Sequence, residues 1–294
     1  MNSKTKHSIT PNMGKLFNVI IPALGHNTKT AAGDIVDNSL DANATKVTIY
    51  LGEDEVDGEK RINRYLFADN GDSMDRDRLV ESNRFATDIP HEPGEAGYFG
   101  SGGSIASYTL ADHKTTCVRD QMDGDMLVSE MDVRWFDDPP EGFDPASPLD
   151  IYTGDDADEK HFEGFIGSGT GTIISLTDLK PNAEYKRAYR LAPVLAEYFG
   201  TTYYAQLGPD FELNINYGDK TIAVTPHDPL YWDRPEALLS KREESFDFKG
   251  KNKKGEEVTS TVRIRMSHLN LNMLGNIGSV ASQGARSQRD FYPT

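Results

Sequence analysis

The chain lacks the features that mark secreted, membrane-spanning or cysteine-built proteins. Its 294 residues include a single cysteine, Cys117, which excludes an internal disulfide framework and a cysteine-based zinc site. No apolar run approaches the ~20 residues of a membrane span. Residues 1–10 carry no apolar core of a secretion signal. We therefore expect a cytoplasmic protein with no membrane partner.

Basic residues are scarce as well. The 31 Lys and Arg stand against 47 Asp and Glu, which gives a formal net charge of −16. An acidic surface repels phosphate, so the overall field disfavours binding to nucleic acid. Hydrophobic residues make up 37% of the chain, which is enough for a folded core. The length predicts one large domain or two modest ones.

The order of the predicted elements indicates two domains. Helices and strands alternate up to about residue 200, beginning with a helix over 28–43 and ending with one over 180–199 that Pro193 should kink or break. Mostly strands follow, so we predict domains at 1–200 and 201–294. Residues 137–163 are rich in acids and prolines and predict a solvated excursion rather than core. Residues 275–294 are typical of a mobile loop or tail.

The first predicted helix carries a polar stripe. Asp34, Asn38 and Asp41 lie at i, i+4 and i+7 and so share one face. A solvated face is the ordinary explanation for such charge on a helix. The alternative is a site where a carboxylate activates water and an amide oxygen binds a hard cation such as Mg²⁺. This helix alone does not decide between them.

A second polar motif, residues 69–74, follows a predicted strand. Asp69, Asn70 and Gly71 are typical turn residues, so an ordinary turn is one explanation. In a binding site, Asp69 would accept a hydrogen bond at the floor of a pocket. Gly71 would then let a flat ring approach the backbone closely.

A glycine-rich segment precedes the next predicted helix, at 97–104. Successive backbone N–H groups at a helix N-terminus form a good phosphate cradle, although flexible loops of this composition are common. The segment is not a Walker A loop, because the chain contains no G-x-x-x-x-G-K-[ST]. It is not a good Rossmann fingerprint either, because no clean strand enters it. Its candidate binding residues are Gly97, Phe99, Gly100, Ser101, Gly102, Gly103 and Ser104.

The last motif is Gly169-Thr170-Gly171-Thr172, which opens a predicted strand. One explanation is an ordinary turn before a strand. The other is a binding site in which the Thr172 hydroxyl lies beside the hydrogen-bond acceptor Asp69. Each of the four motifs is weak alone, whereas their order and spacing are distinctive.

Together the four motifs resemble those of the GHKL ATPases, which include gyrase B subunits, the heat-shock chaperone, histidine kinases, MutL and MORC proteins. Residues 34–42 are similar to the N box, 69–74 to D-x-G-x-G, 97–106 to the second glycine box and 171–172 to the later G-T motif. The resemblance covers about residues 18–200. It implies an α+β protein whose first domain is a Bergerat-type α/β sandwich.

The resemblance also implies the ligands and their residues. ATP and Mg²⁺ would bind, with Asn38 as the metal ligand and Asp41 on the same helix face. Asp69 would accept a hydrogen bond from the adenine amino group, and Thr172 would support that contact. Gly71 and Met74 would line the base pocket. The glycine box would hold the phosphates, and residues 88–97 would form the lid.

Three positions depart from the family pattern. Asp34 stands where the family has a Glu general base, and its side chain is one methylene shorter, which predicts slow hydrolysis. Ser73 replaces the second glycine of D-x-G-x-G and would narrow the pocket. Ser104 stands where several relatives have a lysine, so one phosphate-directed charge is absent, and the sequence does not identify a substitute.

The strand-rich segment after residue 200 resembles the transducer of gyrase B, MutL and MORC proteins. The N box and residues 228–232 are most similar to prokaryotic MORC-type ATPases. That branch implies an ATP-dependent homodimer acting in DNA transactions or anti-phage defence, on DNA or a partner defence protein. DNA contact would need a local basic patch such as 249–254 with Arg263 and Arg265, or a further C-terminal region. We also expect the chain to be an N-terminal piece of a longer protein.

Two other functions stay open. One is a nucleotide-binding regulatory or scaffold protein with little hydrolysis, which the departures at Asp34 and Ser104 favour. The other is a chaperone-like ATPase, which the strand-rich second domain disfavours.

Overall fold

A computed structural model describes residues 12–56, 58–84, 102–120, 124–145, 147–181, 185–251 and 256–270. The chain divides into two compact units. The first comprises residues 1–199 and 206–224, and the second comprises 200–205 and 225–294. The expected lid at 88–97 and the expected tail at 275–294 lie outside the described residues.

An eight-stranded sheet forms the centre of the first unit. Its strand order is β5-β4-β3-β6-β2-β1-β7-β8, and every neighbouring pair is antiparallel except β1 with β7. The strands are β1 (Lys46–Val56), β2 (Glu59–Asp69), β3 (Ala111–Arg119), β4 (Met126–Asp132), β5 (Asp150–Thr153), β6 (Thr172–Leu179), β7 (Glu212–Tyr217) and β8 (Lys220–Ala223).

Helices accompany this sheet along the chain. They are α1 (Met13–Lys15), α2 (Ile21–Ala23), α3 (Thr28–Asp41), α4 (Arg76–Ser82), α5 (Gly102–Leu110), α6 (Asp156–Ile166) and α7 (Ala188–Thr202). A π-helical stretch, Leu16–Ile20, joins α1 to α2, and a 3-10 turn, Val133–Phe136, follows β4. This mixed architecture fits the α+β class expected for a GHKL ATPase domain.

Helix α3 begins at a reciprocal cap. The Asn27 side chain accepts from the backbone N–H groups of Lys29 and Thr30, and the Thr30 hydroxyl accepts from the Asn27 N–H. The helix then buries Ile35 and Val36, which are spaced to share its apolar face with Ala32. This packing leaves the stripe with Asp34 and Asn38 outside the core.

Helices lie on both faces of the sheet. On one face Leu79 of α4 packs against Val118, and on the other Phe162 of α6 packs against Cys117. Adjacent residues of one strand point to opposite faces, so Cys117 and Val118 assign α4 and α6 to opposite sides of the sheet.

The expectation of a solvated excursion at 137–163 is wrong for residues 150–163. Strand β5 pairs with β4, and α6 begins with a capping box at Asp155 and Asp158. Phe162 is fully buried. Four of the ten acids in this range, Asp156, Asp158, Glu159 and Glu163, lie on α6, the helix that buries Phe162.

The expected start of the last helix before residue 200 is also wrong. The described residues 180–181 and 185–187 are not helical. Helix α7 starts at Ala188 and continues through Pro193 to Thr202, and the buried side chains of Leu191, Leu195 and Phe199 anchor it. Strands β7 and β8 belong to the large sheet, because β7 pairs in parallel with β1. Compact packing therefore assigns 206–224 to the first unit, beyond the expected boundary near residue 200.

The second unit is built on a long antiparallel hairpin. Strand β9 (Leu238–Lys251) pairs with β10 (Glu257–Leu269), and a 3-10 turn, Pro235–Ala237, precedes them. Tyr231 and Ala237 are buried at the base of the hairpin. The two strands form a ribbon rather than a larger sheet within the described residues.

Candidate functional site

The carboxylate of Asp69 is the buried polar centre of the site. Asp69 ends β2, where it pairs in register with Thr172 of β6. Its Oδ2 accepts from Ser39 Oγ at 2.9 Å, and its Oδ1 accepts from the Gly71 N–H at 3.0 Å. Burial raises the pKa of Asp69, while hydrogen bonds from the Gly71 N–H, the Ser39 hydroxyl and the Thr172 N–H act in the opposite direction.

The turn after Asp69 is tied to the end of α3 and to the start of β1. Asn70 Oδ1 accepts from the N–H groups of Thr45 and Lys46 at 3.0 and 2.8 Å. The Asp72 N–H donates to the Ala42 carbonyl at 2.6 Å. A Cβ on Gly71 would lie 2.6 Å from that same oxygen, so only glycine permits this approach. The close neighbour of Gly71 is thus the protein backbone, which the sequence alone did not indicate.

Ser73 is buried, and its hydroxyl contacts backbone oxygens. Its Oγ donates to the Arg119 carbonyl and lies 3.4 Å from the Gly171 carbonyl. It therefore joins the turn to the end of β3 and to the segment before β6. Met74 is half-buried and packs with Leu79 and Val118.

The polar stripe of α3 lies at the edge of this region. Asn38 is exposed, and Asp34 and Asp41 are half-buried. Asp34 Oδ2 lies 3.4 Å from His26 Nδ1. Burial raises the pKa of Asp34, the nearby His26 lowers it and Asp37 raises it. A raised carboxylate pKa increases the basicity of Asp34 toward a water proton.

The start of α5 approaches the stripe. A Cβ on Gly103 would clash with the Asn38 amide nitrogen, so the backbone at Gly103 contacts that side chain directly. Ser104 is buried, and its Oγ donates to the Ser82 carbonyl at 3.3 Å. Gly97, Phe99, Gly100 and Ser101 lie outside the described residues, so only Gly102, Gly103 and Ser104 of the expected cradle have described positions.

The structure brings the separated motifs into two adjoining groups. Asp69, Gly71 and Thr172 meet where β2 and β6 pair, and Asn38 meets Gly103 where α3 faces α5. Ser39, next to Asn38 on α3, contacts Asp69 and so connects the groups.

Sequence reasoning missed two contributors. Ser39 lies four residues after Ile35 on the apolar face of α3, and a serine at such a position signals a buried hydroxyl with a partner. His26 precedes the helix and carries no periodic signal, so its contact with Asp34 required the fold.

The described residues contain no self-sufficient metal centre. No group of three or more His, Cys, Asp or Glu side chains is placed to hold an ion in that part of the chain. Mg²⁺ usually takes one or two protein ligands and completes its shell with phosphate oxygens and water. The single exposed amide of Asn38 fits that kind of site and not a dedicated protein cage. Among the described helices, none is long and apolar enough to cross a membrane.

Comparison with known proteins gives a match over part of the chain. Residues 26–137 match the family model described as "Histidine kinase-, DNA gyrase B-, and HSP90-like ATPase". No curated protein gives a significant match to the chain. The matched segment contains α3, the Asp69 turn and α5, which carry three of the four motifs. The match supports a GHKL-type ATPase domain in this part of the chain.

Proposed function

We propose that the first unit binds ATP with Mg²⁺ and hydrolyses it slowly. The observation that carries this proposal is the Asp69 carboxylate, which is buried and held by Ser39 and by two backbone N–H groups. A buried carboxylate held in this way needs a reason, since burial of an acid costs free energy. Recognition of a base amino group supplies that reason.

The proposal includes a preference for adenine. An ionised carboxylate only accepts hydrogen bonds. The adenine amino group donates, whereas guanine presents a carbonyl oxygen at the equivalent position. Asp69 therefore favours adenine nucleotides, with Gly71, Met74 and Thr172 around the base.

Asn38 and the start of α5 are assigned to the phosphates. The backbone N–H groups of Gly102, Gly103 and Ser104 begin the helix, where partial positive charge favours an anion. Asn38 would place its amide oxygen on the metal, and its contact with Gly103 keeps metal ligand and cradle together. Bound Mg²⁺ would neutralise charge on the phosphate oxygens.

Asp34 is proposed as the general base. It lies one turn before Asn38 on the same face of α3 and would accept a proton from the attacking water. Its side chain is one methylene shorter than that of Glu, so we expect slow turnover. The neighbouring His26 would hold the carboxylate in place.

Isothermal titration with ATP, ADP, GTP and a non-hydrolysable ATP analogue, together with phosphate release, tests these assignments. We expect ATP to bind and GTP not to bind, and we expect Asn38→Ala to remove the Mg²⁺ dependence of ATP binding.

The general base is tested by substitution of Asp34. Asp34→Ala should slow hydrolysis by about 10²-fold or more without a comparable loss of ATP binding. Asp34→Glu should retain or raise the rate. Asp77→Ala, on the exposed surface of α4, is the control. Unchanged hydrolysis in Asp34→Ala would reject Asp34 as the base.

The same residues support a second function. Because Asp34 is short and engaged with His26, a nucleotide-binding regulatory protein with little hydrolysis is the alternative. ATP binding without phosphate release in the wild type would favour it.

We further propose that the second unit acts as a transducer-like domain of MORC type and that ATP promotes homodimerisation in the cytoplasm. The proposed targets are DNA or a partner defence protein. The support for these assignments is the resemblance of the motifs and of the strand-rich C-terminal segment. Light scattering with ATP, ADP and the analogue tests dimerisation, and a monomer under all three conditions would reject it.

A further inference from the structure

Lys114 is a buried lysine inside the first unit. It lies in the middle of β3 with 5% of its surface exposed, and its register neighbours are Met131 of β4 and Leu176 of β6, both buried and apolar. Its Nζ donates a hydrogen bond to Asn83 Oδ1 at 3.0 Å. No ion pair joins Lys114 to a carboxylate within the part of the chain that the structure describes. Such burial of a cation is costly and calls for a specific role.

Asn83 is the C-cap of α4 and makes further hydrogen bonds besides the one to Lys114. Its Nδ2 donates to the Leu79 carbonyl at 2.9 Å and lies 3.4 Å from Ser129 Oγ of β4. The residue before it, Ser82, accepts at its carbonyl from Ser104 Oγ at 3.3 Å. A short series of hydrogen bonds thus runs from β3 through the end of α4 to the start of α5.

The start of α5 is the part of the helix that meets Asn38. Ser104 directly follows Gly103, whose backbone contacts the Asn38 side chain. The position of the first turn of α5 relative to Asn38 therefore depends on where Ser82 and Asn83 are held. Lys114 is the charged donor at the buried end of that series.

We propose that Lys114 is a positioning residue for the nucleotide site: through Asn83 and Ser82 it holds the first turn of α5 against Asn38, so that the phosphate cradle and the metal ligand stay in register. The proposal rests on the proposed function, because it assigns Lys114 a role in that same site. Lys114 contacts neither nucleotide nor metal in this scheme.

The surroundings of Lys114 make the arrangement sensitive to pH. Its hydrogen-bond partner from α4 is Asn83, which lies beside Ser129 of β4, and both are neutral. From α5, the buried Tyr108 packs against Met131, and burial raises the pKa of Tyr108, so it stays neutral. The charged group two residues along the same face of β3 is Asp112, whose carboxylate pairs with Lys180. Burial alone lowers the pKa of Lys114 to about 8. Loss of the proton above that pH would weaken the hydrogen bond to Asn83, since charged donors bind more strongly.

The first test compares Lys114→Met with the wild type. Methionine keeps the length and apolar stem but removes the donor and the charge. We expect a roughly tenfold weaker affinity for the Mg²⁺ complex of a non-hydrolysable ATP analogue, the size expected for one lost charged hydrogen bond. The thermal midpoint should stay close to that of the wild type, because removal of a buried charge offsets the lost bond. The control is Lys160→Met, on the exposed surface of α6, which should change neither value.

The second test uses Asn83→Asp, which gives Lys114 an anionic partner and raises its pKa. Wild-type affinity should fall as the pH rises through about 8, and Asn83→Asp should move that fall to higher pH. Wild-type affinity in Lys114→Met, or an unchanged pH profile in Asn83→Asp, would overturn the proposal.

A third measurement separates this proposal from the proposed function. Hydrogen exchange of the amides in the first turn of α5 reports its position without nucleotide. Lower protection there in Lys114→Met, with unchanged protection in α6, supports the positioning role even if the wild type binds no ATP. Equal protection in the two proteins would overturn it.

Discussion

The Ser39 hydroxyl donates to the Asp69 carboxylate at 2.9 Å, and both side chains are buried. This bond joins α3, which carries Asn38, to the end of β2, which carries the proposed base acceptor. In the proposed site, one helix would thus present its exposed face to the metal and phosphates and its buried face to the carboxylate that accepts the base. The two halves of the candidate site are coupled through adjacent residues, Asn38 and Ser39.

Removal of the Ser39 hydroxyl should weaken this coupling. In Ser39→Ala the buried Asp69 carboxylate loses one donor, so we expect a loss of about 1–3 kcal/mol in the free energy of unfolding and weaker ATP binding. Urea denaturation and titration calorimetry measure the two effects. Ser39→Thr, which keeps the hydroxyl, should retain more ATP binding than the alanine variant. Equal ATP affinity in wild type and Ser39→Ala would contradict the assignment.

Asp69 should also contribute a pH-dependent term to stability. Burial raises its pKa in the folded state above the ordinary value of 3.8, so the folded protein holds this proton more tightly than the unfolded chain. The contribution of Asp69 to stability is therefore largest below that ordinary pKa and is lost as the pH rises through the folded value. Urea titrations of wild type and Asp69→Asn across the acid range should show the free energy of unfolding of the wild type falling relative to that of the variant as the pH rises. A constant difference between the two proteins would refute this.

Lys114 should make a second pH-dependent contribution to the free energy of unfolding, in the alkaline range. Its pKa is lowered by burial from 10.5 to about 8, so the unfolded chain binds more protons between these values. The stability of the wild type should therefore rise by about 3 kcal/mol relative to Lys114→Met as the pH increases from about 8 to 10.5. Paired urea titrations isolate this residue from other groups that titrate there. Parallel pH curves for the two proteins would exclude the effect.

The contact between Gly103 and Asn38 should be sensitive to a single methyl group. In Gly103→Ala the new Cβ would collide with the Asn38 amide, and we expect reduced Mg²⁺-dependent nucleotide binding. Gly164→Ala, on the exposed surface of α6, is a matched control, because its Cβ would have no described atom within 4 Å. Gly164→Ala should leave binding unchanged and alter stability by no more than about 1 kcal/mol. The test fails if the two variants bind nucleotide equally well.

Helix α6 should prove to be part of the core. Phe162 is fully buried among Leu66, Cys117 and Val128, so Phe162→Ala should cost about 3–5 kcal/mol in the free energy of unfolding. Lys160→Ala, on the exposed side of the same helix, should have little effect. A cost below about 1 kcal/mol for Phe162→Ala would indicate a loosely attached helix.

Sequence patterns predicted most elements that carry the candidate site. The periodicity from Ala31 to Leu40 predicted α3, and the turn residues after Asp69 predicted the end of β2. The acidic composition of 137–163 led to a wrong prediction, because it hid apolar side chains that pack against the core, among them Ile151 and Phe162. The boundary near residue 200 also differed from the packing, because the parallel pairing of β7 with β1 joins segments far apart in sequence.

By itself the sequence determined the order of the four motifs, the polar stripe of α3 and the departure at Asp34, because these depend on residue types and on spacing within one element. Tertiary structure alone decided that Ser39 meets Asp69, that Gly103 meets Asn38 and that Lys114 meets Asn83. Each of these contacts joins segments that strand register and helix packing bring together. Local spacing specifies which face of a helix or strand a side chain occupies. The residue that it contacts on another segment depends on how the whole sheet and its helices pack.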